Sequence, residues 1–146
     1  MSAISVKKLE ERAVLPSYGS ASAAGADLYA LTDGEVTFRP GETKFVHTGI
    51  ALEIPEGYVG LVYARSSLAC KRGLAPANKV GVIDSDYRGE IMVALHNHSG
   101  EVQKVSDGER IAQLVVAPYL RAEFREADKL TDTERGEGGF GSTGKF

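Results

Sequence analysis

Short apolar runs, cut at regular intervals by glycine turns, constrain this chain more than any other feature. Val36 and Phe38 alternate with Glu35, Thr37 and Arg39, and Ile50, Leu52 and Ile54 alternate with Ala51 and Glu53. A period of two marks half-buried strand, because successive side chains point to opposite faces. Tyr58 to Ala64, Ile91 to Leu95 and Ile111 to Ala117 are apolar runs of strand length. Asp33-Gly34, Pro40-Gly41, Glu56-Gly57, Ser99-Gly100 and Asp107-Gly108 punctuate them as turns. This pattern predicts an antiparallel β-sandwich or barrel of the jelly-roll kind. One short helix is expected at Leu68 to Arg72, with Ser66 or Ser67 as N-cap and Gly73 just past its end. A segment of that length needs tertiary support to be stable.

The chain has 146 residues, enough for one domain. With 17 basic and 20 acidic residues it lacks the basic excess that nucleic-acid backbone binding requires, so no nucleic-acid partner is expected. A few well-placed Arg or Lys can still hold a small anion. The opening residues MSAISVKKLEER have no apolar core of a signal peptide, and no apolar run approaches the roughly 20 residues needed to span a bilayer. No membrane association is expected, and the default setting is the cytoplasm. The single cysteine, Cys70, reads as a packing residue. His47, His96 and His98 have no ligand or triad spacing and read as surface or structural groups, while Lys7-Lys8 and Lys71-Arg72 read as solvated faces.

Five segments carry chemistry. Residues 136–144, GEGGFGSTG, are too glycine-rich to order on their own. They form either a disordered tail or a flap that orders over a ligand, with backbone N–H groups, Ser142 and Thr143 available to phosphate oxygens. Arg135 adds charge, and Phe140 offers a ring to stack on a base. In Tyr63-Ala64-Arg65-Ser66-Ser67-Leu68-Ala69 a strand ends on Arg and two hydroxyls, which is either an anion site or an ordinary capped helix start. In GVIDSDYRG (81–89), Asp84 leaves the core at a strand end, as a general base for a water or as a turn-capping carboxylate. Asp27, between small and apolar neighbours, reads as a carboxylate held near a buried surface. Gln113 interrupts an apolar strand and needs a partner, either backbone or ligand.

In this order the segments resemble the five motifs of the trimeric dUTP pyrophosphatase family: AGADLYA (24–30), ARSSLA (64–69), GVIDSDYRG (81–89), GERIAQLVV (108–116) and RGEGGFGSTG (135–144). The resemblance implies a β-barrel domain over residues 1–134 and a flexible C-terminal arm over 135–146. It implies a homotrimer with shared active sites, and hydrolysis of dUTP to dUMP and diphosphate with Mg2+. Asp84 would activate the water that attacks the α-phosphorus. Tyr87 would pack under the deoxyribose and exclude a 2′-hydroxyl. The hairpin from Asn78 to Asp84, including Val82 and Ile83, would read the uracil edge, with Met92 also at the base. Arg65, Ser66, Ser67 and Gln113 would hold the phosphates. Phe140 would stack on uracil while Arg135, Gly141, Ser142 and Thr143 close on the distal phosphates. Asp27 would meet the metal through water.

Two positions depart from the family's usual second motif: Ala64 stands where Pro is common, and Ser67 where Gly is common. Ser67 keeps a backbone N–H for a phosphate. One rival reading is dCTP deaminase, which shares the fold, but the Asp84-Ser85-Asp86-Tyr87 segment and the complete glycine-rich tail favour diphosphate release. The other is a nucleotide-sensing module without turnover, which would need neither Asp84 nor the tail.

Overall fold

The computed structural model describes residues 3–144; the first two residues of the N-terminal segment and the last two of the tail lie outside the described residues. The strands are β1 (Ser5–Lys8), β2 (Ser17–Tyr18), β3 (Ala26–Tyr29), β4 (Val36–Phe38), β5 (Thr43–Glu53), β6 (Tyr58–Tyr63), β7 (Leu74–Pro76), β8 (Gly81–Ile83), β9 (Glu90–Asn97), β10 (Gln103–Val105) and β11 (Arg110–Pro118), with one helix, α1 (Ser66–Arg72). They form a four-stranded sheet in the order β1-β5-β9-β7, a five-stranded sheet in the order β2-β3-β11-β6-β8, and the pair β10-β4. Every pairing is antiparallel. The expected antiparallel jelly-roll-like architecture with a single short helix is what the chain adopts.

Alternation decides which face is buried. Ile91, Val93 and Leu95 of β9 point inward while Met92 points out. They meet Val46, Ile50 and Leu52 of β5, Val62 of β6, and Leu114 of β11 in one core closed by Phe38 and Val105. Each such side chain contributes roughly 1.5–3 kcal/mol on burial. The one fully buried amide, Asn97, is satisfied: its Nδ2 donates to the carbonyls of Phe38 (3.0 Å) and Glu101 (2.7 Å), and its Oδ1 accepts from Ser99. His47 lies beside an irregularity in the β5–β9 ladder, where its Nδ1 is 2.9 Å from Glu90, whose other oxygen accepts the Gly49 N–H. That is the structural role expected of this histidine.

Four local readings need correction. Cys70 is exposed and is not a packing residue. The helix starts at Ser66 with Arg65 as N-cap, and no side chain caps it, so Ser66 and Ser67 keep their hydroxyls free. Its end is as expected: Gly73 takes φ of +68° and returns its N–H to Leu68. Residues 78–84 are not a hairpin, because β7 pairs with β9 in one sheet and β8 with β6 in the other. The chain crosses between sheets through a tight turn at Asn78 to Val80, with Lys79 left-handed at φ +65°. Arg72 is not a solvated face: its guanidinium engages Glu109 and the Lys104 carbonyl.

Candidate active site

The register of the five-stranded sheet sets the site. Ser17, Asp27, Gln113 and Tyr63 lie in one row across β2, β3, β11 and β6. Directly opposed residues share a face, so this row lies on the outside, opposite the inward row of Ala26, Leu114 and Val62. The chain turns at the end of β6 into Arg65 and α1, which brings Arg65 over Asp27.

Asp27 is buried, yet both of its oxygens face cations. Arg65 Nε donates to Oδ1 at 2.7 Å and Arg110 Nη1 to Oδ2 at 3.3 Å. The pairing offsets the desolvation that an isolated buried carboxylate would suffer. It also fixes the Arg65 side chain at the mouth of a small concavity of about 200 Å³ lined by Gly19, Ala23, Gly25, Asp27, Arg65, Ser66 and Gln113. Gln113 Nε2 donates to the Ala64 carbonyl at 2.9 Å, leaving its oxygen toward Gly25. A Cβ at residue 25 would lie 2.3 Å from that oxygen, so the glycine is required by close approach. Ser67 faces a neighbouring hollow with Lys71, Arg72, Glu109 and Arg110.

Among the described residues no group of three His, Cys, Asp or Glu side chains converges, so there is no cage of protein ligands for a metal. The Asp27 carboxylate retains lone pairs beyond its two arginine contacts and can accept from a metal-bound water. That donor set fits a small hard cation that arrives on a polyphosphate and keeps its own waters.

The second half of the constellation lies at the other end of β6. Val82 and Asp84 line an open groove of about 860 Å³ with Tyr58, Val59, Leu61, Ser85 and Arg88. Asp84 is exposed immediately after β8 ends at Ile83, as its position after an apolar pair predicted. Its carbonyl accepts the Tyr87 N–H at 3.1 Å, closing a turn. The Tyr87 hydroxyl donates to the Glu90 carbonyl at 2.9 Å, and the ring lies so close over Gly89 that a Cβ there would be 2.6 Å from Cζ. Gly89 thereby lets the ring settle beside Asp84's turn. Asn78 sits exposed on the tight turn, its amide near Gly81. Met92 is exposed on the four-stranded sheet, opposite His47, and lines neither concavity.

The two concavities share no residue. Ile83 pairs with Gly60, so Asp84 is level with Val59, while Gln113 pairs with Tyr63. At ~3.3 Å per strand residue, Asp84 and Gln113 are about 13 Å apart along β6, with Arg65 and Ser66 beyond. Between them the outer face is apolar: Val59 opposes Ala117, Leu61 opposes Val115, and Leu61 opposes Val82, which is 62% exposed.

Tyr119 and Arg121 still line the groove beside Asp84, and the rest of the tail lines neither concavity. The Tyr119 N–H bonds to the Gly57 carbonyl, and from there to Gly144 the hydrogen bonds among the described residues are local to the tail. The segment that leaves the body thus begins well upstream of Arg135, and Leu120, Phe124 and Leu130 within it are exposed. Arg135 donates to the Gly138 carbonyl. Phe140, fully exposed, and Gly141 both have positive φ, and Ser142 and Thr143 follow them in open solvent.

Sequence reasoning missed Arg110, Gly25 and Gly89. Arg110 stands three residues before Gln113, an odd offset that in a regular strand faces the other way; the register shift between Arg110 and Ala112 returns it to the polar row, so the sequence held no signal for it. The glycines could be understood only once their neighbours were known.

The chain is similar to known proteins over most of its length. A family model described as dUTPase matches residues 11–144. The deoxyuridine 5′-triphosphate nucleotidohydrolase of Nautilia profundicola is 51% identical over 142 residues, covering 97% of this chain and 99% of the relative. That of Syntrophotalea carbinolica is 52% identical over 141 residues, covering 97% and 96%. A solved structure of Staphylococcus bacteriophage 80alpha dUTPase with dUPNHPP superposes with a TM-score of 0.91 at 29% identity, covering 99% of this chain and all of the phage chain. The chain belongs to the dUTPase family and is an enzyme of that hydrolase class. No helix among the described residues is long and apolar enough to cross a membrane.

Proposed function

We propose that this enzyme hydrolyses dUTP to dUMP and diphosphate with Mg2+, at sites shared between copies in a cytoplasmic homotrimer, lowering dUTP and supplying dUMP for thymidylate synthesis. One observation supports the reading: Asp84 and the row of Asp27 and Gln113 lie at opposite ends of β6, separated by a half-buried apolar stripe whose Val82 is exposed. The offset of about 13 Å along β6 keeps Asp84 and Gln113 from direct contact within one protomer, which favours a site completed by a second copy. Packing the stripe of one copy against another buries exposed Val82 and brings one copy's Asp84 to another's Arg65, Ser66 and Gln113. Three copies in a ring close such a head-to-tail contact.

In this mechanism Asp84 takes a proton from water as the water oxygen bonds to the α-phosphorus. The bond from that phosphorus to the bridging oxygen breaks in line, and diphosphate leaves. Arg65, Ser66, Ser67 and Gln113 hold the phosphate oxygens, with Arg65 already fixed by Asp27. Asp27 would hold Mg2+ through water, and the metal, when bound, would supply neutralisation of the phosphate charge. The Asn78–Asp84 segment, with Val82 and Ile83, presents backbone to the uracil edge; Met92, on the other sheet, could join the base contact only in a site completed by another copy. A 5-methyl group is worth only about 1–3 kcal/mol in a yielding pocket, so rejection of dTTP requires the stiffness of the tight turn. The Tyr87 ring, fixed on Gly89, lies under the deoxyribose and excludes a ribose. The tail closes the site: Phe140 stacks on uracil, and Arg135, Gly141, Ser142 and Thr143 cover the distal phosphates.

The test is diphosphate release from dUTP, dTTP, dCTP and UTP, with and without Mg2+. Release from dUTP alone, dependent on the metal, is expected. Ammonia from dCTP would instead make the chain a deaminase, and binding without turnover a sensing module.

A further inference from the structure

We propose that Arg72 is a positioning residue for the phosphate-binding segment, holding α1 in register with the strand that carries Arg110 and Gln113. The inference rests on the reading of Arg65, Ser66 and Gln113 as phosphate ligands. With seven residues and no side-chain cap, α1 cannot hold its own position. Leu68 anchors its underside in the core, but one apolar contact does not fix rotation or slide.

Polar ties at both ends supply the rest. At the start, Arg65 is clamped on Asp27. At the end, the Arg72 guanidinium reaches Glu109 and the Lys104 carbonyl together. Glu109 is itself held: its other oxygen accepts the Ser106 N–H at 3.0 Å, and its carbonyl accepts the Ala30 N–H at 2.8 Å. The next residue, Arg110, returns to Asp27. Charges therefore alternate around the helix, from Arg72 to Glu109, through the adjacent Arg110 to Asp27, and back to Arg65. The Arg72 and Glu109 side chains are only 35% and 25% exposed, so the planar fork is partly desolvated and its two acceptors fix it geometrically. The backbone beyond the helix is held by the His98 N–H on the Gly73 carbonyl and by buried Leu74, so loss of Arg72 releases only the helix's tie to the β11 side, and the displacement reaches catalysis through the placement of Arg65 and Ser66.

Kinetics on dUTP with Arg72→Ala and Arg72→Lys, each made in the natural chain and in an Arg65→Ala background, test this. Arg72→Ala is expected to lower kcat/KM about tenfold, chiefly through KM, because sub-ångström shifts of substrate anchors are costly. Arg72→Lys recovers part of the loss. In the Arg65→Ala background the further loss shrinks below about twofold, since residues acting through one another are non-additive. A purely structural role would multiply the loss equally in both backgrounds, and that result, or no loss at all, overturns the proposal. Glu109→Gln removes the charge while keeping the shape; it should reproduce the KM effect should Arg72→Ala fail to fold, and an unchanged KM there also overturns it. Full activity in Arg65→Ala alone would refute the phosphate-site reading itself, and the proposal with it.

Discussion

Gly25→Ala is a one-carbon change whose effect follows directly from the geometry. The added Cβ would stand 2.3 Å from Gln113 Oε1, 3.0 Å from its Cδ and 3.2 Å from its Cβ. Carbon makes comfortable contacts near 3.5 Å, so the carboxamide must retreat by about 1 Å. That retreat strains its 2.9 Å bond to the Ala64 carbonyl, which sits on the segment leading into Arg65. Leaving that partly buried carbonyl short of a donor costs about 1–3 kcal/mol, and the lost freedom of the unfolded chain returns about 0.4–1 kcal/mol. The net loss of about 1–2 kcal/mol lowers Tm by about 3–6 °C. The catalytic effect is larger than the stability effect: a 1 Å displacement of a substrate anchor costs kcat/KM about 10- to 100-fold.

Melting and steady-state diphosphate release measure both quantities on the same sample. Gln113→Ala removes the clashing carboxamide, so Gly25→Ala/Gln113→Ala should behave nearly as Gln113→Ala alone. Retention of kcat/KM within twofold in Gly25→Ala, or full multiplication of the two losses in the double variant, would refute the claim that Gly25 exists to let Gln113 approach.

Asp84→Asn should lower kcat about 10²–10⁴-fold with KM within a few-fold, because the base acts in the transition state; unchanged turnover sinks its role. Deleting residues 136–146 should cripple turnover while leaving melting and assembly intact, since the described tail hydrogen bonds are local; loss of assembly in sedimentation would show the tail to be part of the interface. Val82→Glu places a charge on the apolar stripe and should give a folded protomer that neither assembles nor turns over; a fully assembled variant would place the interface elsewhere.

What could be read from the sequence depended on how many residues each feature spans. Strands β4 and β5 were legible from alternation, and β6, β9 and β11 from apolar runs of strand length bounded by glycine turns. Strands β2, β7, β8 and β10 have two or three residues each, too few to show a period, and tertiary pairing alone creates them. The same limit explains the misread crossing at residues 78–84: β7 and β8 look like two arms of a hairpin until each is seen to pair elsewhere. Asp27 and Gln113 announced themselves as polar groups on apolar strands, and burial and a backbone partner were duly found. Arg72 did not, because a Lys-Arg pair at the end of a short helix looks solvated unless an acid from a distant turn is known to face it.

The division of the site was illegible for a different reason. Motifs in sequence order say which residues belong to an activity but not which ends of which strands they occupy. Here β6 acts as a spacer. Its N-terminal end lies beside Asp84 through pairing with β8, and its C-terminal end delivers Arg65 and Ser66. A strand of six residues cannot fold back on itself, so no rearrangement within one protomer joins the two halves without destroying the sheet. The apolar stripe between them has no polar partner to satisfy and gains most by meeting another apolar face. Under the proposed function, the length that separates Asp84 from Arg65 and Gln113 within a protomer is the same feature that makes association with another copy productive. A change that shortened β6 or polarised Leu61 is then expected to disable catalysis without altering a residue assigned to the nucleotide.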